Sequence, residues 1–273
     1  MTVEADTAPD PKASLLAFFG TELTRIRTRA DLSQARAARM AHTTQSMLSK
    51  IEAAKRVPSE DLARDLDTAF GTDGHFARLY PLVIRYAYPS WFLPFVELEK
   101  DAVTIRSFQS QIIPGLLQTE SYARAMLVKV RPDNLDDLVA ARMTRQSVFE
   151  RDERPRTWFI MDEYVLLRHI GGEAVMRPQL ELLLKAGSEP RTVIQVIPRE
   201  VAAHPGLSGP FTVLGFDDGP DVLFVDGFSQ GRMALDGSEV SEGARAYDLL
   251  RAVALSPDES ADLIGRHLEE LGT

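Results

Sequence analysis

The 273-residue chain contains no cysteine, which removes disulfides, thiolate metal sites and cysteine nucleophiles together and fits a reducing cytoplasm. It also lacks any apolar run near the ~20 residues needed to span a bilayer, so no membrane association is expected. The opening residues, with Pro9, Pro11 and three acids, have neither a basic start nor an apolar stretch. They read as a loose arm over 1–13 and not as a signal peptide. The five histidines, at 42, 75, 169, 204 and 267, are scattered, and none pairs at metal-ligand spacing. No metal site and no cofactor are expected. A phosphate loop is missing too, since Gly206-Leu207-Ser208-Gly209 lacks both the lysine and the strand-to-helix setting. Asp162-Glu163 offers two carboxylates, but neighbours on a strand point to opposite faces and do not cooperate easily. With no catalytic constellation, the chain is expected to bind and not to catalyse.

What is present begins with enough apolar content, 44%, to give both halves of the chain a core. The formal net charge is -9, yet the sign reverses locally. From Ser14 to Arg56, Arg25, Arg27, Arg29, Arg36, Arg39, Lys50, Lys55 and Arg56 face only Glu22, Asp31 and Glu52, a balance of +5. Within this basic stretch lie two short predicted helices joined by a tight turn. Ser33 is placed to cap the first and Thr44 the second, each offering an oxygen to backbone N–H groups two or three residues on. In the second helix Leu48 and Ile51 would face inward, and Gln45, Ser46, Ser49 and Lys50 outward. Gln pairs bidentately with adenine, Lys reaches guanine O6 and N7, and Ser suits several base edges. Thr44, Gln45, Ser46, Ser49 and Lys50 are therefore the candidate base contacts. Gln34, Arg39, Lys55 and Arg56 are the candidate phosphate contacts, which position a domain without reading sequence.

From about Leu15 to about Tyr80 these features resemble the phage-repressor-like, XRE-type helix-turn-helix domain of bacterial regulators. A preceding helix with Leu16, Phe19, Leu23 and Ile26 and a following one with Leu62, Leu66 and Phe70 would close its core. The chain departs from the usual pattern at three points: His42 stands where the turn normally has Gly, Ala37 and Ala41 where Leu is common, and Arg36 in place of a capping Glu. Histidine tolerates positive φ better than most residues, and Met40 or Met47 is expected to fill the space that the alanines leave.

After Tyr80, Tyr86, Tyr88, Pro89, Trp91, Phe92, Pro94 and Phe95 crowd together and predict a packed connector. Helices are predicted from Val96 to Phe108, from near Thr119, from Leu135 to Glu150 and from Glu173 to Ala186. Strands are predicted at 157–161, 192–197, 211–216 and 222–225, where β-branched and aromatic residues concentrate. Asp217-Asp218-Gly219-Pro220 reads as a hairpin. Two helices close the chain, the second opened by the capping box Ser256-Pro257-Asp258-Glu259. The basic string Arg142, Arg145, Arg151, Arg154 and Arg156, interrupted by acids, reads as a solvated face.

This region resembles the C-terminal domain of WhiJ-like, antitoxin-like actinobacterial regulators. The run from Ile113-Pro114-Gly115-Leu116-Leu117-Gln118 to Arg124-Ala125 carries the resemblance, with Arg142-Met143-Thr144-Arg145-Gln146, Asp162-Glu163, Gly171-Gly172, Val175–Leu180 and Gly209-Pro210-Phe211-Thr212. Leu167 and Asp226 replace an Arg and a Glu frequent in that family. The resemblance implies a regulator that binds operator DNA and answers to a small partner protein of the BldB kind. The turn-bounded Leu116, Leu117, Tyr122 and Arg124 are the candidate partner contacts, although from the residues alone an interior corner is the favoured reading of this stretch.

The expectation is thus a multidomain α plus α/β chain. It has an arm at 1–13, an all-α helix-turn-helix domain at 14–85 and, at 86–273, a mixed α/β regulatory domain with a mainly antiparallel sheet. Its expected function is that of a cytoplasmic repressor that binds double-stranded operator DNA as a homodimer, because one short recognition helix reads too few base pairs. The alternative is a small-molecule sensor whose pocket is lined by Phe159, Phe211 or Phe224.

Overall fold

The computed structural model describes residues 9–130, 132–228 and 230–271. Most of the expected arm, residues 1–8, lies outside the described residues. The first helices are α1 (Leu15–Arg29), α2 (Gln34–Met40), α3 (Gln45–Glu52), α4 (Glu60–Phe70), α5 (His75–Ala87) and α6 (Leu93–Asp101). Strand β1 (Thr104–Gln109), α7 (Glu120–Leu127), α8 (Leu135–Thr144), β2 (Arg156–Asp162), α9 (Tyr164–Leu167), α10 (Glu173–Gly187) and β3 (Thr192–Ile197) come next. The chain ends with β4 (Phe211–Gly215), β5 (Val222–Val225), β6 (Arg232–Ala234), α11 (Gly237–Val253) and α12 (Pro257–Glu270).

The chain divides into two units that interleave in sequence. One is formed by the residues up to Pro89 with Val130–Thr144, the other by Ser90–Lys129 with the residues from Arg145 onward. The region expected as a single regulatory domain over 86–273 therefore gives α8 to the helical unit. Three hydrogen bonds tie α8 there: Ser14 Oγ to Asp137 Oδ1 (2.7 Å), Val57 N–H to Thr144 Oγ1 (2.9 Å) and Tyr88 Oη to Ala141 O (2.8 Å). Burial pushes the Asp137 carboxyl up in pKa, against the lowering effect of the Ser14 hydroxyl. The helix predicted over 135–150 stops as an α-helix at Thr144 and continues to Glu150 as 3-10 turns, on the other side of the division.

The aromatic segment expected as a connector is helical in its first part. α5 runs through Pro81 to Ala87 because Phe76, Tyr80, Val83, Ile84 and Ala87 all bury one face, which outweighs the loss of one backbone bond at the proline.

α1, α2 and α3 end alike. In each, a backbone N–H folds back five residues: Leu32 to Arg27 O (3.1 Å), Thr43 to Ala38 O (2.9 Å) and Lys55 to Lys50 O (2.7 Å). The residue before it must then be left-handed, and here it is Asp31 (φ 53), His42 (φ 49) and Ala54 (φ 56). α4 makes the same ending with Gly71 (φ 64), the residue type that carries no steric penalty there. His42→Gly and Ala54→Gly are each expected to stabilise this unit by about 1 kcal/mol, since an L residue in this region costs roughly that much. Chemical denaturation with an unchanged m-value checks it; a loss of stability would mean that the His42 or Ala54 side chain makes up the strain.

In the other unit six strands form one mixed sheet in the order β3-β2-β1-β4-β5-β6. β1, β2 and β3 are parallel, and the pairings β1–β4, β4–β5 and β5–β6 are antiparallel. Both faces are buried. Ile105, Phe159, Met161, Ile194, Leu214 and Phe224 face a core shared with α10 and α12, while Phe108, Ile160, Val213 and Leu223 face Tyr247 and Leu250 of α11. The predicted strands lie where expected, and Ser256 and Glu259 form the capping box. The helix expected to reach Phe108 is a correction: it stops at Asp101, and Thr104–Gln109 is the strand at the centre of the sheet. β-branched Val103, Thr104 and Ile105 next to buried Ser107 and Phe108 favour the pleated form there. β6 had no counterpart among the predicted strands, being only three residues long.

The expected solvated basic face is corrected in part: Arg154 and Arg156 are exposed as expected, but Arg145 and Arg151 are turned into the fold. Arg145 makes a two-pronged ion pair with buried Glu99 (2.7 Å each) and lies over the Phe92 and Phe95 rings. Arg151 donates to the carbonyls of Lys100 and Ala102. These guanidiniums knit α6 to the segment after α8 and are not a surface for nucleic acid.

Candidate nucleic-acid interface

The helical unit presents α3 through a turn whose every part is visible in the sequence. Ser33 Oγ accepts from Arg36 N–H and Thr44 Oγ1 from Met47 N–H, so both expected caps are made. Between them His42 takes the left-handed conformation normally given to glycine. Leu48 and Ile51 are fully buried, as are Ala37 and Ala41. Of the two methionines expected beside the alanines, Met40 is 42% exposed and does not fill the space, while Met47 is half-buried. α1 and α3 approach closely elsewhere: a Cβ at Gly20 would sit 2.6 Å from the Ile51 carbonyl oxygen and 2.7 Å from that of Glu52. α1 thus seats the end of α3 by direct backbone contact, which no larger residue permits.

On the outer side Thr44, Gln45 and Ser46 are exposed, while Ser49 and Lys50 are half-buried. The Thr44 hydroxyl accepts its cap bond and keeps a proton to donate. Of the candidate phosphate contacts, Arg39 and Lys55 are exposed and Arg56 is half-buried. Gln34 is a correction, because its amide is turned inward and donates to Glu52 Oε2 at 2.7 Å.

That bond belongs to a network that charge counting missed. Glu52, only 6% exposed, also accepts from Arg27 Nε (2.5 Å) and Nη2 (3.1 Å), and Arg27 Nη1 donates to Leu32 O (2.8 Å). Arg27 and Glu52 cancel within the fold, so Arg27 adds nothing to the phosphate-facing charge. The signal was Glu52 itself, an acid at the carboxyl end of a helix, where the dipole disfavours it unless a cation is near. Arg25 is likewise bonded to Glu22 and holds that carboxyl below the usual carboxylate range. Arg29, Arg36 and Arg39 are exposed and Lys50 is half-buried, and all four remain on the basic surface.

In the other unit the candidate partner contacts are corrected. Leu116, Leu117 and Tyr122 are 4%, 3% and 0% exposed and belong to the main core, with Tyr122 Oη accepting from Ile113 N–H. Arg124 is half-buried and faces Glu120 at 3.9 Å. Phe159, Phe211 and Phe224, expected to line an effector pocket, are buried core residues as well. Asp162 and Glu163 each meet a histidine: His204 Nε2 lies 3.2 Å from Asp162 Oδ2, and His267 Nε2 3.2 Å from Glu163 Oε1. Both histidines are buried, so each pair ties a loop or helix to the end of β2.

Residues 19–79 match a model described as a helix-turn-helix domain, and residues 92–266 match one described as a domain of unknown function, DUF5753. No curated protein and no solved structure matches the chain. The helix-turn-helix match and the exposed face of α3 together mark a DNA-binding regulator. Among the described residues no helix is long and apolar enough to cross a membrane.

Proposed function

The chain belongs to the DUF5753 family, with a helix-turn-helix domain ahead of that region, and we propose that it is a cytoplasmic, sequence-specific transcriptional repressor controlled through its DUF5753 region. The observation that carries the DNA reading is the row Gln45, Ser46, Lys50 turned away from buried Leu48 and Ile51 on a doubly capped helix-turn-helix. In this reading the chain acts by binding and not by catalysis.

Lys50→Ala and Gln45→Ala are each expected to weaken the preferred operator by roughly 1–3 kcal/mol and to relax discrimination at one or two base pairs. Equal losses on operator and random DNA would remove them from the base-reading list. Arg39→Ala and Lys55→Ala are expected to weaken both DNAs alike and to reduce the salt slope by about one unit each. Sequencing the DNA that the protein retains supplies the operator. A homodimer on half-sites roughly 34 Å apart is expected, and footprinting reads it as two protected segments.

The signal is a small partner protein of the kind implied for WhiJ-like regulators. With Leu116, Leu117 and Tyr122 inside the core, the surface that supports this is the edge strand β6, flanked by exposed Phe228 and Leu235. A free edge with apolar neighbours suits added-strand docking. Copurification of a small protein that is lost on Phe228→Glu supports the reading, and its retention opposes it. A second reading, a small-molecule effector, is favoured by one observation: an open cavity in the unit that carries the sheet.

A further inference from the structure

An open cavity of about 560 Å³ lies where the 3-10 turns over 115–117 and 145–150 meet the carboxyl half of α10 and the start of β3. Its apolar wall is made by Leu116, Leu117, Phe149, Leu182 and Ala186. Leu116 and Leu117 are buried almost completely and form a firm floor, while Phe149, Leu182 and Ala186 are half-buried and keep carbon facing the opening. The volume falls within the range of sites that enclose small organic molecules, and apolar surface left against water favours a ligand that covers it.

The mouth has the opposite character. Arg154, Lys185 and Arg191 line it against a single acid, Glu189. All four are exposed, in a chain whose overall charge is -9. Arg154 lies 3.7 Å from Glu189, and Arg191 Nη1 is held by Arg154 O at 2.6 Å, so two of the cations are fixed at the rim. α10 ends here, and the negative end of its dipole opposes an anion. Two of its last carbonyls are however already taken, Lys185 O by Ser188 N–H and Ala186 O by Glu189 N–H.

We propose that this cavity binds a small amphipathic organic anion, an aliphatic or aromatic body seated on the leucine floor with a carboxylate at the Arg154–Lys185–Arg191 mouth. The inference names a ligand class for the effector reading and rests on that reading only for its consequence on DNA. Neutral apolar ligands would gain the floor but not the rim, and inorganic anions the rim but not the floor, so the combination sets the class.

The test uses the full chain, without DNA, titrated calorimetrically with octanoate and with 1-octanol. Octanoate is expected to bind at one site per chain and more tightly than the alcohol. The double variant Arg154→Gln/Lys185→Gln should weaken octanoate about tenfold, the scale of one lost charge-assisted contact, and leave octanol unchanged. Ala186→Phe, which fills the cavity, should abolish both while near-ultraviolet circular dichroism stays native. The charge variant changes only exposed side chains and keeps the test decisive if the filled one misfolds. No octanoate binding, binding equal to that of octanol, or unchanged affinity in the charge variant overturns the site. Operator affinity measured with and without octanoate is a separate readout, and no change there overturns the effector role alone.

Discussion

Glu52→Ala is expected to remove about 3–5 kcal/mol from the stability of the helical unit, because it leaves a guanidinium without its counter-charge in a nearly dry site. Arg27 and Gln34 both spend their donors on this carboxylate, and Arg27 keeps only 15% of its side chain exposed. Gln34 heads α2, Arg27 closes α1 and Glu52 closes α3, so one side chain joins the three helices that shape the reading head. Urea unfolding followed by far-ultraviolet circular dichroism measures the loss. The double variant Arg27→Met/Glu52→Leu, which removes both charges, is expected to recover a large part of it. A loss below about 1 kcal/mol in Glu52→Ala would instead class the pair with exposed ion pairs, which contribute little.

Tyr122→Ala is expected to cost the other unit about 3–5 kcal/mol, the range for deleting a large ring from a tight core. The ring is wholly buried, and its hydroxyl accepts the Ile113 N–H at 3.2 Å, so truncation opens a void and leaves a buried donor unpaired. Any partner or ligand binding lost in this variant is then lost through unfolding. A Tyr122→Ala protein that stays native by thermal melt yet fails to bind a partner would put the side chain back at the surface and contradict the core placement.

The N-terminal motif was legible in the sequence because its signals are local. Caps at Ser33 and Thr44, the inward Leu48 and Ile51, and a tolerated left-handed His42 lie within a few residues of what they control. Strands dense in β-branched residues, such as 192–197 and 222–225, were legible for the same reason. What depends on distant partners was not. Thr104–Gln109 carries both Arg106 and Ser107, and only its place between β2 and β4 makes those residues strand interior. Gln34 and Arg27 look like surface residues until Glu52, at the far end of the motif, is brought against them. Leu116 and Leu117 fit a corner better than a groove in sequence, but only the packing against the sheet core decides for the corner.

The return of α8 to the helical unit changes the order in which this protein has to be made. Domains fold as units, amino-terminal first during synthesis, yet this one cannot close when residue 89 has emerged, since its last helix begins only at Leu135. Until Thr144 is available, the Val57 N–H and the Tyr88 hydroxyl lack the acceptors they have in the finished fold. The nascent reader of DNA therefore waits, incomplete, for a segment that arrives only after the first strand of the sheet has been made. A shortened chain ending at residue 85 reproduces that waiting state and not the mature reader.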